Sequence, residues 1–172
     1  MAITKIQSES LNLADTYAFT GTVTGAGESN TPAFKVYAST TQDIPQYSDT
    51  LINFDTEIYD VGNCFNTTNK EFTATSAGKY FFHSQIAQDA AQTGRVTMIH
   101  AYVNSTKTES NGYFREYLSG TNYRFYTQFT ITLDLSANDT VKLYFYTDAD
   151  NNFVGTAVNN KQTYWSGFKI TD

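Results

Sequence analysis

Between Tyr126 and Tyr146 the chain changes face at every residue. Phe129, Ile131, Leu133 and Leu135 occupy alternate positions, with Thr130, Thr132 and Asp134 between them. Successive side chains of a strand point to opposite faces, so this spacing predicts a half-buried strand and excludes a helix there. Ser136-Ala137-Asn138-Asp139 is a polar break with turn chemistry, and Val141, Leu143 and Phe145 then resume the alternation. Two such strands joined by a short turn predict an antiparallel hairpin. The second strand also carries Tyr144 and Tyr146 on its other face. Large rings on both faces need two covers: the domain core on one side, and a second sheet or another subunit on the other.

The same short-period pattern recurs along the chain. Ala33–Tyr37, the pieces 51–55 and 57–61, Cys64-Phe65-Asn66, and 71–74 read as short strands. Residues 79–87, 95–104 and 163–170 read as longer ones. Polar, turn-rich stretches at 38–50, 106–122 and 147–152 read as loops. Composition agrees, because 27 threonines, 13 tyrosines and 13 phenylalanines are β-formers. No helical period and no fixed repeat appears, which leaves a β-sandwich or jelly roll and removes propellers and solenoids.

The 172 residues suit one domain with a short appendage. Thr31-Pro32 marks the boundary, since proline sits poorly within a sheet. Residues 1–31 hold few large apolar side chains, and glycines at 21, 25 and 27 break any long strand. This segment cannot form a core of its own, so a β-rich attachment piece at 1–31 is expected ahead of a domain at 32–172. The net charge of −6 repels phosphate backbones and argues against nucleic acid. The one cysteine, Cys64, excludes an intrachain disulfide and reads as a small buried residue. No apolar run suits a cleaved signal or a membrane span, so neither is expected.

Several motifs occur in an order that resembles the C1q-like globular head, the jelly roll related to tumour necrosis factor. Ala33-Phe34 opens the domain and Ile52-Asn53-Phe54-Asp55 follows. Gly62 to Phe72 is similar to a Gly-x-x-Tyr-Asp-x-x-x-x-x-Phe pattern, with Phe65 and Asn66 in the Tyr and Asp places. Gly78-Lys79-Tyr80-Phe81-Phe82 resembles Gly-x-Tyr-x-Phe. Leu133 to Leu143 resembles Leu-x-Leu-x-x-Gly-Asp-x-Val-x-Leu, with Asn138 at the usual glycine, and Trp165-Ser166-Gly167-Phe168 resembles the terminal strand. The resemblance implies an all-β jelly-roll sandwich of ten strands in two sheets, assembled as a homotrimer. On that basis Tyr80, Phe82, Tyr144, Tyr146 and Trp165 are expected at the trimer interface. Residues 6–15 and 19–25 resemble leading segments of phage tail and fibre proteins, particularly those of marine bacteria. That likeness implies a virion protein, assembled in the host cytoplasm and joined to other virion proteins through residues 1–31.

Motifs for chemistry are sparse. His83 and His100 lie mid-strand and read as hydrogen-bonded core or interface residues. No zinc spacing, nucleophile elbow or phosphate loop is present. Asp148-Ala149-Asp150 begins like a calcium loop, but Phe153 and Asn159 stand where an EF-hand needs Gly and Glu. No cofactor is expected; a looser, oxygen-lined calcium site at a subunit apex is the one metal reading left open. Asn66, Asn104 and Asn138 fit the glycosylation pattern, which carries no weight without secretion. Tyr113, Phe114, Tyr117 and Tyr123 cluster with Ser, Gly and Asn, the vocabulary of adaptable recognition surfaces. They are the candidate ligand-binding residues for a host glycan or receptor, set against a seam-filling role. The expected function is therefore a non-enzymatic fibre or tail-associated knob for attachment. A capsid-mounted decoration is the rival of the same kind. A polysaccharide hydrolase is the rival of another kind; it would draw on Asp43, Asp49, Asp55 or Glu57, whose spacing is not specific.

Overall fold

The computed structural model describes residues 32–89, 96–115, 125–148, 152–154 and 161–171. These form thirteen strands and no helix: β1 (Ala33–Tyr37), β2 (Gln42–Ile44), β3 (Thr50–Leu51), β4 (Thr56–Val61), β5 (Phe65–Asn66), β6 (Glu71–Thr73), β7 (Gly78–Asp89), β8 (Val96–Val103), β9 (Thr106–Arg115), β10 (Phe125–Leu135), β11 (Thr140–Thr147), β12 (Asn152–Val154) and β13 (Tyr164–Thr171). They fall into two antiparallel sheets. In the first, β10 flanks one edge of β7, while β13 and β12 share its other edge. β1 and then β4 lie beyond β13, and β2 lies beyond β12. In the second, β11 lies between β8 on one side and β6 with β3 on the other, with β9 and β5 at the margins.

Alternation puts one face of each sheet inward. β7 buries Tyr80, Phe82, Ser84 and Ile86, and β11 buries Val141, Leu143 and Phe145. Between them lies an aromatic centre. Phe34 stacks on Phe65 at 5.1 Å and meets Trp165 edge-on at 5.1 Å, and Phe72 meets Phe82 edge-on at 5.1 Å. Such pairs add about 0.5–1.5 kcal/mol each beyond area burial. Gly167 is required by this packing. A Cβ there would lie 2.4 Å from Phe82 Cδ1 and 2.9 Å from Phe34 Cε1.

The expected hairpin at 126–146 is not one. β10 pairs with β7 in the first sheet and β11 with β8 in the second, so the turn between them crosses the edge of the sandwich. Alternation reveals that each strand has one buried face; it does not reveal which strand lies beside it. Turning the corner sets Leu133 and Leu135 inward from one layer and Val141 and Leu143 inward from the other. The corner is pinned by polar bonds. Asn138 adopts a left-handed φ of 71°, and its N–H donates to Ala74 O at 2.8 Å. The Asp139 carboxylate accepts from Ser136 N at 2.8 Å.

Two further expectations change. Residues 106–115 form β9 instead of a loop. Asn104 and Ser105, at φ 49° and 67°, make the two-residue turn that leads into it. β9 is a polar edge strand, so it shows no apolar alternation to read. The piece 51–55 is a strand only at Thr50–Leu51, yet Ile52 and Phe54 are fully buried. There the Gln42 amide donates to Leu51 O at 2.8 Å and accepts from Asn53 N at 2.9 Å, replacing the ladder.

Candidate recognition surfaces

Each sheet has an outer face, and the two are built differently. On the first sheet, Phe81, Phe168, Ala33 and Val61 are successive cross-strand partners on β7, β13, β1 and β4. Phe81 and Phe168 meet at 5.4 Å between ring centres. Phe168 is 37% exposed, Val61 49% and Ile170 48%, and Tyr59 further along β4 is also exposed. His83 shares this face, half-buried. Its Nδ1 lies 3.1 Å from Thr130 Oγ1 and its Nε2 lies 3.1 Å from Tyr164 Oη.

On the second sheet, the loop between β2 and β3 brings Asp49 across the outer face. His100 Nδ1 lies 2.7 Å from Asp49 Oδ1, Tyr102 donates to Asp49 Oδ2 at 2.6 Å, and Lys107 Nζ donates to Asp49 Oδ2 at 3.2 Å. An ionised carboxylate only accepts, so His100 carries its proton on Nδ1. Burial alone would raise the Asp49 carboxyl. The Tyr102 and Lys107 bonds and the nearby positive charge outweigh it and hold Asp49 below the usual carboxylate range. Burial pushes His100 down despite the Asp49 charge, so the ring is neutral at neutral pH. The Asp49 bond, with burial, pushes the Tyr102 phenol up to about 12.

The five residues expected at the trimer interface separate in space. Tyr80, Phe82 and Trp165 are 0% exposed within the single chain, so they have no surface to offer another subunit. This is a correction: a large ring in a two-sheet domain is claimed first by the domain's own core. Tyr144 and Tyr146 do lie on an outer face, half-buried, on the second sheet. Tyr102 covers Tyr144 at 4.3 Å, and His100 stacks on Tyr146 at 6.1 Å. The exposed apolar row is on the other sheet. Its sequence signal is Phe81 on the polar side of β7, together with Phe168 and Ile170 alternating with the buried side of β13.

Of the expected ligand residues, Tyr113 and Phe114 lie on the part of β9 of which only the backbone is described. Tyr117, Tyr123 and the segment 1–31 lie outside the described residues, as do residues 149–151 of the acidic loop. Asp148 itself accepts from Val96 N at 2.6 Å. Among the described residues no three His, Cys, Asp or Glu side chains gather as a metal site. Two carboxylates of the hydrolase reading, Asp49 and Asp55, are committed to structural hydrogen bonds. Asp55 accepts from Ser39 N and Ser39 Oγ, each at 2.9 Å. Burial opposes the shift, but these bonds hold its carboxyl low. A glycosidase acid needs the opposite, a raised pKa. Cys64 is buried, with its thiol 3.1 Å from Asp60 Oδ1; burial and that carboxylate push it up, away from the reactive thiolate.

No curated protein matches the chain. Among solved structures, the globular domain of zebrafish complement 1qA protein matches with a TM-score of 0.54 at 19% identity, over 81% of this chain and 97% of that one. That likeness shows the fold. A family comparison identifies a C1q domain at residues 33–170. Because this match runs from the first residue of β1 to the penultimate residue of β13, across both sheets, the chain belongs to the C1q domain family.

Proposed function

We propose that this chain is a non-enzymatic trimeric recognition head, carried on a virion as a fibre or tail-associated knob. Proteins with C1q domains are often trimeric recognition or structural proteins, and the family is generally non-enzymatic. The observation that carries the assembly is the apolar row Phe81–Phe168–Ala33–Val61 with Ile170 beside it. A contiguous apolar strip on an outer sheet face is the mark of a surface that is covered in use. Three copies packed through it would leave the outer face of the second sheet and the loops free to meet a host glycan or receptor. The likeness of residues 1–31 to leading segments of phage fibre proteins supports the virion setting and the role of that segment in joining other virion proteins.

The test has three parts. Light scattering on the purified chain is expected to give three times the monomer mass of 19.2 kDa; a monomer overturns the trimer. Antibody labelling of purified particles is expected to mark the tail or fibre. Capsid labelling would move the protein to a decoration role, and no labelling would overturn the virion role. Incubation with host surface polysaccharide is expected to release no reducing ends, and their release would overturn the non-enzymatic reading.

A further inference from the structure

The outer face of the second sheet carries a recess of about 460 Å³, within the range of roughly 300–1,000 Å³ for small-molecule sites. Asp49, His100, Lys107 and Tyr146 line it, and Tyr47 stands at its mouth, 64% exposed. We propose that this recess binds one residue of a neutral saccharide, with the Tyr47 ring as its stacking platform. The proposal rests on the reading of this chain as a recognition head and gives that head a site.

Three observations point there. First, Tyr47 has a φ of 59°. A bulky residue with a left-handed backbone is strained, and it persists only where its surroundings fix it. Its N–H donates to Thr147 O at 2.8 Å, which holds the Tyr47 main chain beside the recess. Second, His100 is almost wholly buried, with a side chain only 3% exposed, and its Nδ1 proton is committed to Asp49. The remaining ring nitrogen, Nε2, is an acceptor whose neighbour at 3.4 Å is the Met98 sulfur, which has no proton to give. A ligand hydroxyl would supply that donor. Third, charge in the recess is balanced. Asp49 and Lys107 are paired at 3.2 Å and His100 is neutral, so no excess charge remains for a phosphate or carboxylate. Lys107 keeps further N–H donors beyond the one given to Asp49, and it is 40% exposed. An aromatic platform, one acceptor lacking a donor and spare donors on an uncharged site match the hydroxyls and apolar ring face of a pyranose.

The experiment titrates the full chain, followed by NMR, with methyl mannoside, methyl galactoside and N-acetylglucosamine, and in parallel with sialyllactose and glucose 6-phosphate. A neutral probe is expected to bind. Tyr47→Asn, which tolerates the same backbone, should weaken it about tenfold or more. Tyr47→Phe, which keeps the ring, should bind nearly as the native chain does. Tighter binding of the charged probes overturns the neutral class. Neutral binding unchanged by Tyr47→Asn but abolished by Tyr117→Ala with Tyr123→Ala overturns the site and leaves the recognition head standing. Binding by none of the probes at millimolar concentration overturns the site, whereas the recognition head stands or falls on the mass and labelling results.

Discussion

The two outer faces of this sandwich begin from the same kind of strand and end differently. On the first sheet, aromatic and aliphatic side chains line up across four strands and stay partly open. On the second, Tyr144 and Tyr146 are just as large. They are, however, flanked by Tyr102 and His100 and tied by a loop that carries Asp49. An apolar row without polar partners can be satisfied only by another apolar surface. Rings interleaved with a carboxylate, a lysine and a histidine are satisfied within the chain and leave a polar recess. Ring content alone therefore does not mark an interface; what lies between the rings decides.

This contrast can be broken experimentally. The largest effect should come from the core that both faces share. Trp165→Ala removes a wholly buried ring packed against Phe34, Phe54, Phe65 and Phe82. The expected loss is about 3–5 kcal/mol in chemical unfolding. If Trp165 instead served the seam, the variant would change mass at unaltered monomer stability. Next, Phe168→Asp places a charge in the apolar row. It should turn trimer into folded monomer by light scattering, whereas Tyr144→Asp should leave the mass unchanged. Equal behaviour of the two variants would remove the distinction between the faces.

A smaller effect is expected at the polar centre. Asp49→Asn keeps the shape but loses the charge that three donors address. The expected cost is about 1–3 kcal/mol in urea unfolding, with no change in mass. Smallest and most specific is the pH dependence. Both His100 and Asp49 titrate lower in the folded chain than in the unfolded one. The unfolded state then binds more protons, so stability falls as pH falls. The His100 contribution should begin to fade below about pH 6.5, and that of Asp49 below about pH 3.9, each until its folded pKa is passed. Thermal melts should show both declines. In Asp49→Asn the lower one should shrink to the part that Asp55 supplies, and an unchanged acid limb would show that this cluster contributes nothing there.

The sequence made some of this legible. Strict alternation at 129–135 and 141–146 placed the inward residues correctly, because a one-residue slip would turn every apolar side chain to water; at 79–87 it separated the two faces but did not show that Tyr80 and Phe82 belong to the core. Gly167 was visible as a motif, though the reason, rings at less than 3 Å from an added Cβ, was not. The Asp49–His100 pair was not legible. Asp49 was one of four carboxylates without special spacing, and the two residues are 51 positions apart in the chain. No local pattern encodes a contact made by a loop folding over a sheet. β9 was hidden for a related reason: an edge strand is held by backbone pairing to β8, and the mostly polar residues of β9 show no alternation to read.

By itself, then, the sequence determined that the chain is all-β and which side chains of a strand share a face, because alternation is a local property of a strand. Only the tertiary structure decided that β10 and β11 part into separate sheets, that Trp165 belongs to the core, and that the uncovered row is Phe81, Phe168 and Val61 rather than Tyr144 and Tyr146. Those outcomes depend on which strands become neighbours and which loops cover them. Both are set by competition among distant segments for the same apolar surface.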